Sequence, residues 1–382
     1  MRRKTLQDKA WKCCRKGLIR VLAVMLACCP AGCSDDDAPT SDPEEVQTLH
    51  EDNIYVFLSP NGPGDNGYND QIVETVSEFA FSREVGVHLS KPNSMSDVND
   101  YLDVLWSIYG EREQGKTLVV LAASEYEALA LSRSAVPNDR FQVLLFESEQ
   151  EDLPEGFSTF HLSRYGISYA VGAMVARQRA EIIAAMPDVV ALEGAIKGFK
   201  DGYAAHGARW VPAVHYLSTD YRGFTMQKKA RQLTDSLQRA YNDVPCYGTI
   251  YPLAGYANHG IYAGIRDVNL LISNLWGIGM DVDCSAQTDY TPFSVIVDIA
   301  SLLRRYLADW LEGKDLPRKA VYGMQEGYTG MVFGEGWDPY GLFSQWEDST
   351  STEMFLPKDF WIEKYEKVKD EAIRKEEEYE RK

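Results

Sequence analysis

The chain is predicted to fold as two α/β lobes in succession, each a parallel sheet flanked by helices, with a ligand cleft between them. Three observations carry this. Short continuous apolar runs alternate with segments of helical spacing, as buried parallel strands do in βαβ units. The alternation runs through once and then begins again. The length of 382 residues, with 45% hydrophobic and 12% aromatic side chains, suffices for two ordinary globular cores.

In chain order, residues 54–58 (Ile-Tyr-Val-Phe-Leu) read as a strand and residues 70–85 as a helix. Residues 117–121 form a second strand, residues 124–134 a helix and residues 141–146 a third strand. The helix predicted over 165–180 carries small residues (Gly166, Ala170, Gly172, Ala173, Ala176) suited to close packing. A helix over 193–206, a strand over 211–216 and a helix over 226–241 come next, then a strand over 248–253, a helix over 261–272 and a strand over 276–282. The tail, 358–382, mixes Glu and Lys, with Trp361, Tyr365 and Val368 spaced to make a narrow seam on one helix face. That seam fits packing on the protein's own body, or a partner helix.

The first 33 residues read differently. Eight basic side chains within residues 2–20 precede the apolar run 21–29 and then Pro30-Ala31-Gly32-Cys33, the order of a secretory signal. The apolar run is far short of the ~20 residues that span a bilayer. Ala31-Gly32-Cys33 resembles a bacterial lipobox, with Cys33 acylated (Cys28 is the fallback), and Ser34-Asp35-Asp36-Asp37 resembles the acidic export signal of surface lipoproteins. A simply secreted protein with an acidic linker is the plainer alternative. The expected organisation is a signal over 1–32, an acidic tether over 33–52, a first lobe over 53–165 completed by about 285–320, a second lobe over 166–284 completed by about 321–335, and an extension over 336–382.

With 39 Lys+Arg against 57 Asp+Glu the formal charge is −18, and the signal takes basic residues away from the remainder. Such a surface argues against nucleic acid, which needs clustered cations. Five of seven cysteines lie at or before Cys33. Cys246 and Cys284 fall at opposite ends of two predicted parallel strands, so no structural disulfide is expected, and with no matching His pair no zinc site. No Gly-x-Ser-x-Gly, His-Glu-x-x-His or Walker A motif occurs, which counts against an enzyme. Of the scattered histidines, His215 and His259 could face the cleft, but a lone histidine near a strand end is more often a satisfied structural one.

Candidate ligand residues sit where strands end. Asp65-Asn66-Gly67-Tyr68-Asn69 follows the first strand and opens a helix, offering backbone N–H groups and the flat face of Tyr68. Tyr251–Gly255 and Gly277–Asp283 are strand ends that break into small residues, where a ligand can approach backbone. Taken singly, each reads equally well as a capped turn.

Together these segments resemble the basic membrane protein (BMP) family of ABC-transporter substrate-binding lipoproteins, which includes purine-nucleoside receptors. Asp65–Asn69 resembles the loop after its first strand; Pro137–Phe141 through Glu147, Tyr165–Arg177 and Gly194–Gly202 resemble three further segments. Ile250–Gly255, Gly279–Asp283 and Tyr322–Gly327 continue the series in the family's order over about 270 residues. The resemblance implies a type I periplasmic-binding-protein fold with three crossings between lobes, no cofactor, a small-molecule ligand and an ABC permease as partner. It implies Tyr68 and Tyr221 as rings stacking on a base, Asp65 and Asn69 shaping the first loop, Glu147 at the base edge, Gly255 at a strand end and Asp281 on sugar hydroxyls. Two positions depart from the pattern: Ser59 where nucleoside binders have Asp, and Val297 nearest a missing lysine. A different small polar or aromatic ligand, or a surface receptor without a transporter, are the alternatives.

Overall fold

The structure is a computed structural model; it describes residues 51–59, 61–110, 114–242, 248–267, 275–287, 291–334 and 358–382. Cys33, Cys246, the signal and tether expected before residue 51 and the stretch 335–357 that opens the expected extension lie outside the described residues. Among those described, no helix is long and apolar enough to cross a membrane, and Cys284 is a buried free thiol.

The first sheet contains β1 (Asn53–Phe57), β2 (Gly86–Ser90), β3 (Thr117–Leu121), β4 (Phe141–Phe146), β5 (Phe157–Leu162) and a late strand, Lys319–Tyr322. Their order is β2-β1-β3-β4-β5 and then the late strand, all parallel. Successive strand residues face opposite sides. Ile54, Val56, Val120 and Leu144 enter one core, while Tyr55, Phe57, Val119 and Leu145 enter another. Burial on both faces explains the unbroken apolar runs, and each such side chain contributes roughly 1.5–3 kcal/mol. Helix α1 (Tyr68–Arg83) supplies Ile72, Val76 and Phe79 to one face; α2 (Met95–Gly110) supplies Val98, Leu102 and Leu105 to the other.

Between β3 and β4 lie a 3₁₀ turn (Ser124–Tyr126) and the single-turn α3 (Glu127–Leu131), shorter than the helix read there. After β5, α4 (Tyr165–Met174) also ends early, because residues 179–184 are not helix but β6 (Arg179–Ala184). The second sheet is β7-β6-β8-β9, all parallel, with α5 (Val190–Ala205), β7 (Ala213–Tyr216), α6 (Gln227–Asn242), β8 (Gly248–Leu253), α7 (Asn258–Arg266) and β9 (Leu275–Gly277). The run read as a strand to 282 pairs only to Gly277, makes an isolated bridge from Gly279 to Ser294, and turns at Asp281.

Strands β10 (Phe293–Val297) and β12 (Thr329–Phe333) form an antiparallel ribbon bridged to the second lobe, separated by α8 (Ile299–Leu311) and β11 (Lys319–Tyr322), the late strand of the first sheet. Helix α8 packs on α1. The chain therefore crosses between lobes three times: at 163–165, at 298 and at 323–328.

Helices α4 and α5 lie so close that a Cβ on Gly172, Gly198 or Gly202 would collide with backbone carbonyls of the facing helix. This is the use of the small-residue face. Gly202→Ala is expected to force the helices apart and cost about 1–3 kcal/mol, read as a lower urea midpoint at unchanged slope; an unaltered midpoint would contradict the close contact. The final helix, α9 (Lys358–Glu380), buries Trp361, Tyr365, Val368 and Ala372 against this body, Trp361 lying 5.6 Å from Trp276 and 5.1 Å from Phe293. Its seam is covered by the protein's own core.

Candidate functional site

In open parallel sheets, ligand crevices form at the carboxyl ends of strands where strand order reverses. Order β2-β1-β3 reverses between β1 and β3, and order β7-β6-β8 between β6 and β8. The carboxyl ends of both sheets line one cavity of about 130 Å³. On a scale where one water takes roughly 10–15 Å³, this holds on the order of ten waters. Ser59, Asn61 and Asp65 come from the β1–α1 loop, Tyr68 and Asn69 from the first turn of α1, and Ala122–Glu125, Glu147 and Arg164 from just beyond the ends of β3, β4 and β5. The second lobe contributes Leu192 on α5, Tyr221 and Phe224 after β7, Ala254–Tyr256 after β8, and Met280 and Asp281 after β9.

The first loop is organised by Asp65. Its carboxylate accepts from the backbone N–H of Gly67 (3.0 Å), Asn69 (3.0 Å) and Asp70 (3.2 Å) and from Asn69 Nδ2 (2.9 Å). The N–H groups at the start of α1, read from sequence as open to a ligand, are thus occupied by Asp65 itself. What the loop presents is the Tyr68 side chain and the buried Asn69 Oδ1, an acceptor without a hydrogen-bond donor.

The centre of the first-lobe wall is a buried charge cluster. Glu147 accepts from Arg164 Nη1 at 3.0 Å, from the Leu162 N–H at 3.1 Å and from the Tyr68 hydroxyl at 3.3 Å, and pairs with His161 Nδ1 at 3.0 Å. Burial alone would raise the Glu147 carboxyl; Arg164 and His161 outweigh it and hold the group well below the usual carboxylate range. The Arg164 guanidinium also lies 5.8 Å from the Tyr68 ring centroid, in cation–π range. Burial, then the charge of Glu147, push the Tyr68 hydroxyl far above its ordinary value, so Tyr68 is a neutral donor.

Across the cavity, Asp281 is raised to about 6, by burial and by the charges of Asp65 and Glu147, against the pull of Arg164. Glu125 is raised to about 7 by burial, although it accepts from Ser59 Oγ at 3.2 Å. Tyr221, pushed up to about 12 by burial and Glu125, stacks on Phe224 at 6.1 Å and 18°. Asn66 and His259 meet at 3.4 Å from opposite lobes. Glu147 and Asp281 both hold positive φ (58° and 69°), which non-glycine residues rarely adopt and which clusters at functional sites. Gly255, at φ 52°, turns the chain at the end of β8.

All seven residues proposed from sequence (Asp65, Tyr68, Asn69, Glu147, Tyr221, Gly255 and Asp281) line this cavity. Val297 does not: its side chain is buried, and its carbonyl accepts from Gln71 at 3.2 Å. His215 pairs with Glu181 at 2.8 Å and is also off the cavity, while His259 meets Asn66 and packs edge-on against the Tyr256 ring at 5.4 Å without lining the cavity. Sequence reasoning missed Arg164, Glu125, Asn61 and Phe224. Glu125 had a signal, since Ala122-Ala123-Ser124 is a strand end breaking into small residues. Arg164 had none, because β5 itself was not read.

No protein-family model matches the chain, and no curated protein sequence matches it. Solved structures do. An ABC transporter solute-binding protein from Aeropyrum pernix K1 covers 86% of this chain and 90% of its own, with 18% identity and a TM-score of 0.60. One from Burkholderia graminis, in complex with D-arabinose, covers 77% and 99%, with 12% identity and a TM-score of 0.56. A probable maltose operon transcriptional repressor from Staphylococcus aureus covers 75% and 98%, with 10% identity and a TM-score of 0.57. At such identities the likeness is one of fold. The chain has the two-lobed α/β fold of type I periplasmic binding proteins, parallel sheets flanked by helices; the sequence pattern predicts the two α/β lobes and the resemblance implies the type I arrangement.

Proposed function

We propose that the protein is an extracytoplasmic solute-binding protein, tethered through an acylated Cys33, that closes its two lobes on a small neutral ligand. The observation that supports this best is the charge balance of the cavity. Asp65, Glu125, Glu147 and Asp281 line it, and Arg164, its one cationic lining residue among those described, is already paired with Glu147. A phosphate or carboxylate entering there would meet carboxylates with no free cation to receive it. Hydroxyl and N–H donors would instead find acceptors in Asp281, Glu125 and Asn69 Oδ1.

A purine nucleoside fits that description: Tyr68 and Tyr221 offer flat faces for the base, Glu147 lies by the base edge, and Asp281 takes sugar hydroxyls. The carboxylate that Ser59 lacks is supplied beside it by Glu125, 3.2 Å away. Delivery to an ABC permease follows from the same reading. A second reading, a free sugar as ligand, is favoured by the D-arabinose complex of the Burkholderia graminis protein. A third, a surface receptor without a permease, is favoured by the acidic stretch Ser34–Asp37.

A thermal-shift panel of inosine, guanosine, adenosine, D-arabinose, D-ribose and inosine 5′-monophosphate tests this. Binding to the native state stabilises it by about 2.7 kcal/mol at a hundredfold excess over Kd. The expected result is a shift with at least one nucleoside and none with the monophosphate. A shift with a pentose alone selects the sugar reading, and a larger shift with the monophosphate than with inosine would overturn the neutral-ligand account.

A further inference from the structure

The last two turns of α9 reach the strands on which the lobes hinge. Glu376 is 5% exposed. One of its carboxylate oxygens accepts the N–H of Gly166 at 3.1 Å, in the first turn of α4 just past the first crossing. The other accepts the N–H of Met324 at 2.8 Å, on the third crossing. Both crossings are cut to fit it. A Cβ on Gly166 would stand 2.8 Å from Glu376 Cβ, and one on Gly323 would collide with its carboxylate. Four residues on, Glu380 accepts from Ser163 Oγ at 2.6 Å, and Tyr379 stacks on Tyr165 at 4.3 Å and 8°. The other side of the same crossing belongs to the cavity, where Glu147 accepts the N–H of Leu162. The crossing is therefore held from the front by a carboxylate of the ligand site and from behind by two carboxylates of the C-terminal helix.

We infer that α9 is a hinge clamp, in which Glu376 ties the first and third crossings together and so limits how far the cleft opens. Lobe closure turns on a few crossing residues that absorb the backbone change. Two crossings sharing one carboxylate cannot move independently without losing one of its bonds, so Glu376 is a positioning residue for the closed arrangement. The consequence for ligand capture rests on the binding-protein reading, but the clamp is tested without ligand, so the two fail separately.

The groups that face Glu376 are Glu380 and Tyr365 on its own helix, Ser163 on the first crossing, His161 on β5 by way of Glu380, and Glu326 on the third crossing, which accepts the Gly323 N–H at 2.9 Å. Burial raises the Glu376 carboxyl to about 7 against the pull of its N–H bonds. Two trends then run in opposite directions. Its contribution to global stability is full below the ordinary Glu range and is lost as pH rises through about 7. The clamp is strongest above that pH, where both oxygens accept, and loses a bond when one becomes a hydroxyl.

The test follows amide exchange at Gly166 and Met324, corrected for intrinsic rate, and the lobe separation by small-angle scattering, on the unliganded full chain and on Glu376→Gln. In the wild type, protection of at least one of the two amides should fall about tenfold or more from pH 8 to pH 6 while the radius of gyration rises. Glu376→Gln should be open at both pH values, with its pH response lost. A variant as compact as the wild type at pH 8 would overturn the clamp. Should the variant not fold, Gly323→Ala, whose Cβ would press on the Glu376 carboxylate, takes its place: a Gly323→Ala protein as compact as the wild type, with the Met324 amide equally protected, overturns the clamp.

Discussion

Arg164→Met is expected to lower the unfolding free energy by about 3–5 kcal/mol near neutral pH, because it leaves Glu147 as a buried charge without its main partner. Both side chains are nearly sealed, at 8% and 7% exposed, and they meet at 3.0 Å. His161, 3.0 Å from the other oxygen, keeps the loss from being larger. The pH dependence has a definite sign. In the wild type the Glu147 carboxyl is held low, so its contribution is full above the ordinary Glu range and fades as pH falls toward the depressed value. In the variant, burial acts with less opposition and the carboxyl rises, so the deficit should be greatest at neutral and alkaline pH and shrink on acidification. Adding Glu147→Gln to Arg164→Met should return part of the stability. Urea unfolding across pH checks this; a deficit that is constant with pH, or no rescue by the double variant, would mean that the pair is not what matters.

Tyr68→Ala is expected to weaken binding of the responding ligand by about 5- to 150-fold, the range that corresponds to 1–3 kcal/mol for a base–aromatic stack. Tyr68 also donates to Glu147 at 3.3 Å and lies beneath Arg164, so Tyr68→Phe separates the parts. Phe keeps the ring and loses the hydroxyl, and should retain most of the affinity if stacking dominates. Calorimetric titration of both variants decides the matter: equal losses would move the weight from the ring to the hydroxyl, and no loss in either would remove Tyr68 from the site.

The legible parts of this fold are those where burial on both sheet faces writes an unbroken apolar run. Residues 117–121, 141–146 and 248–253 are strands to the residue. Among the strands that escaped, β5 and β6 carry polar residues that are satisfied at a distance. In β5, Ser158 donates to Leu316 O at 3.4 Å and Thr159 to Leu145 O at 2.9 Å, so buried hydroxyls interrupt the apolar pattern. In β6, Arg179 and Glu181 mask a strand that the helical spacing before it absorbed. Missing β5 meant missing its carboxyl end, and with it Arg164. Asp65, Tyr68, Asn69, Gly255 and Asp281 lie at strand ends rich in Gly, Asn and Asp, where backbone requirements show in composition, whereas Glu147 and Tyr221 come only through the family resemblance. Glu125, Arg164 and the embrace of Glu376 by two crossings depend on which strands become neighbours, and local pattern does not carry that.

The central claim is that one ligand is held from both lobes at once. The most direct measurement is the thermal shift given by the responding compound on three proteins: wild type, Tyr68→Ala in the first lobe and Asp281→Asn in the second. The account predicts a shift in the wild type that is strongly reduced in both variants, each of which still unfolds in a cooperative transition. A shift that survives unchanged in both would place the ligand elsewhere and contradict the cleft as the binding site.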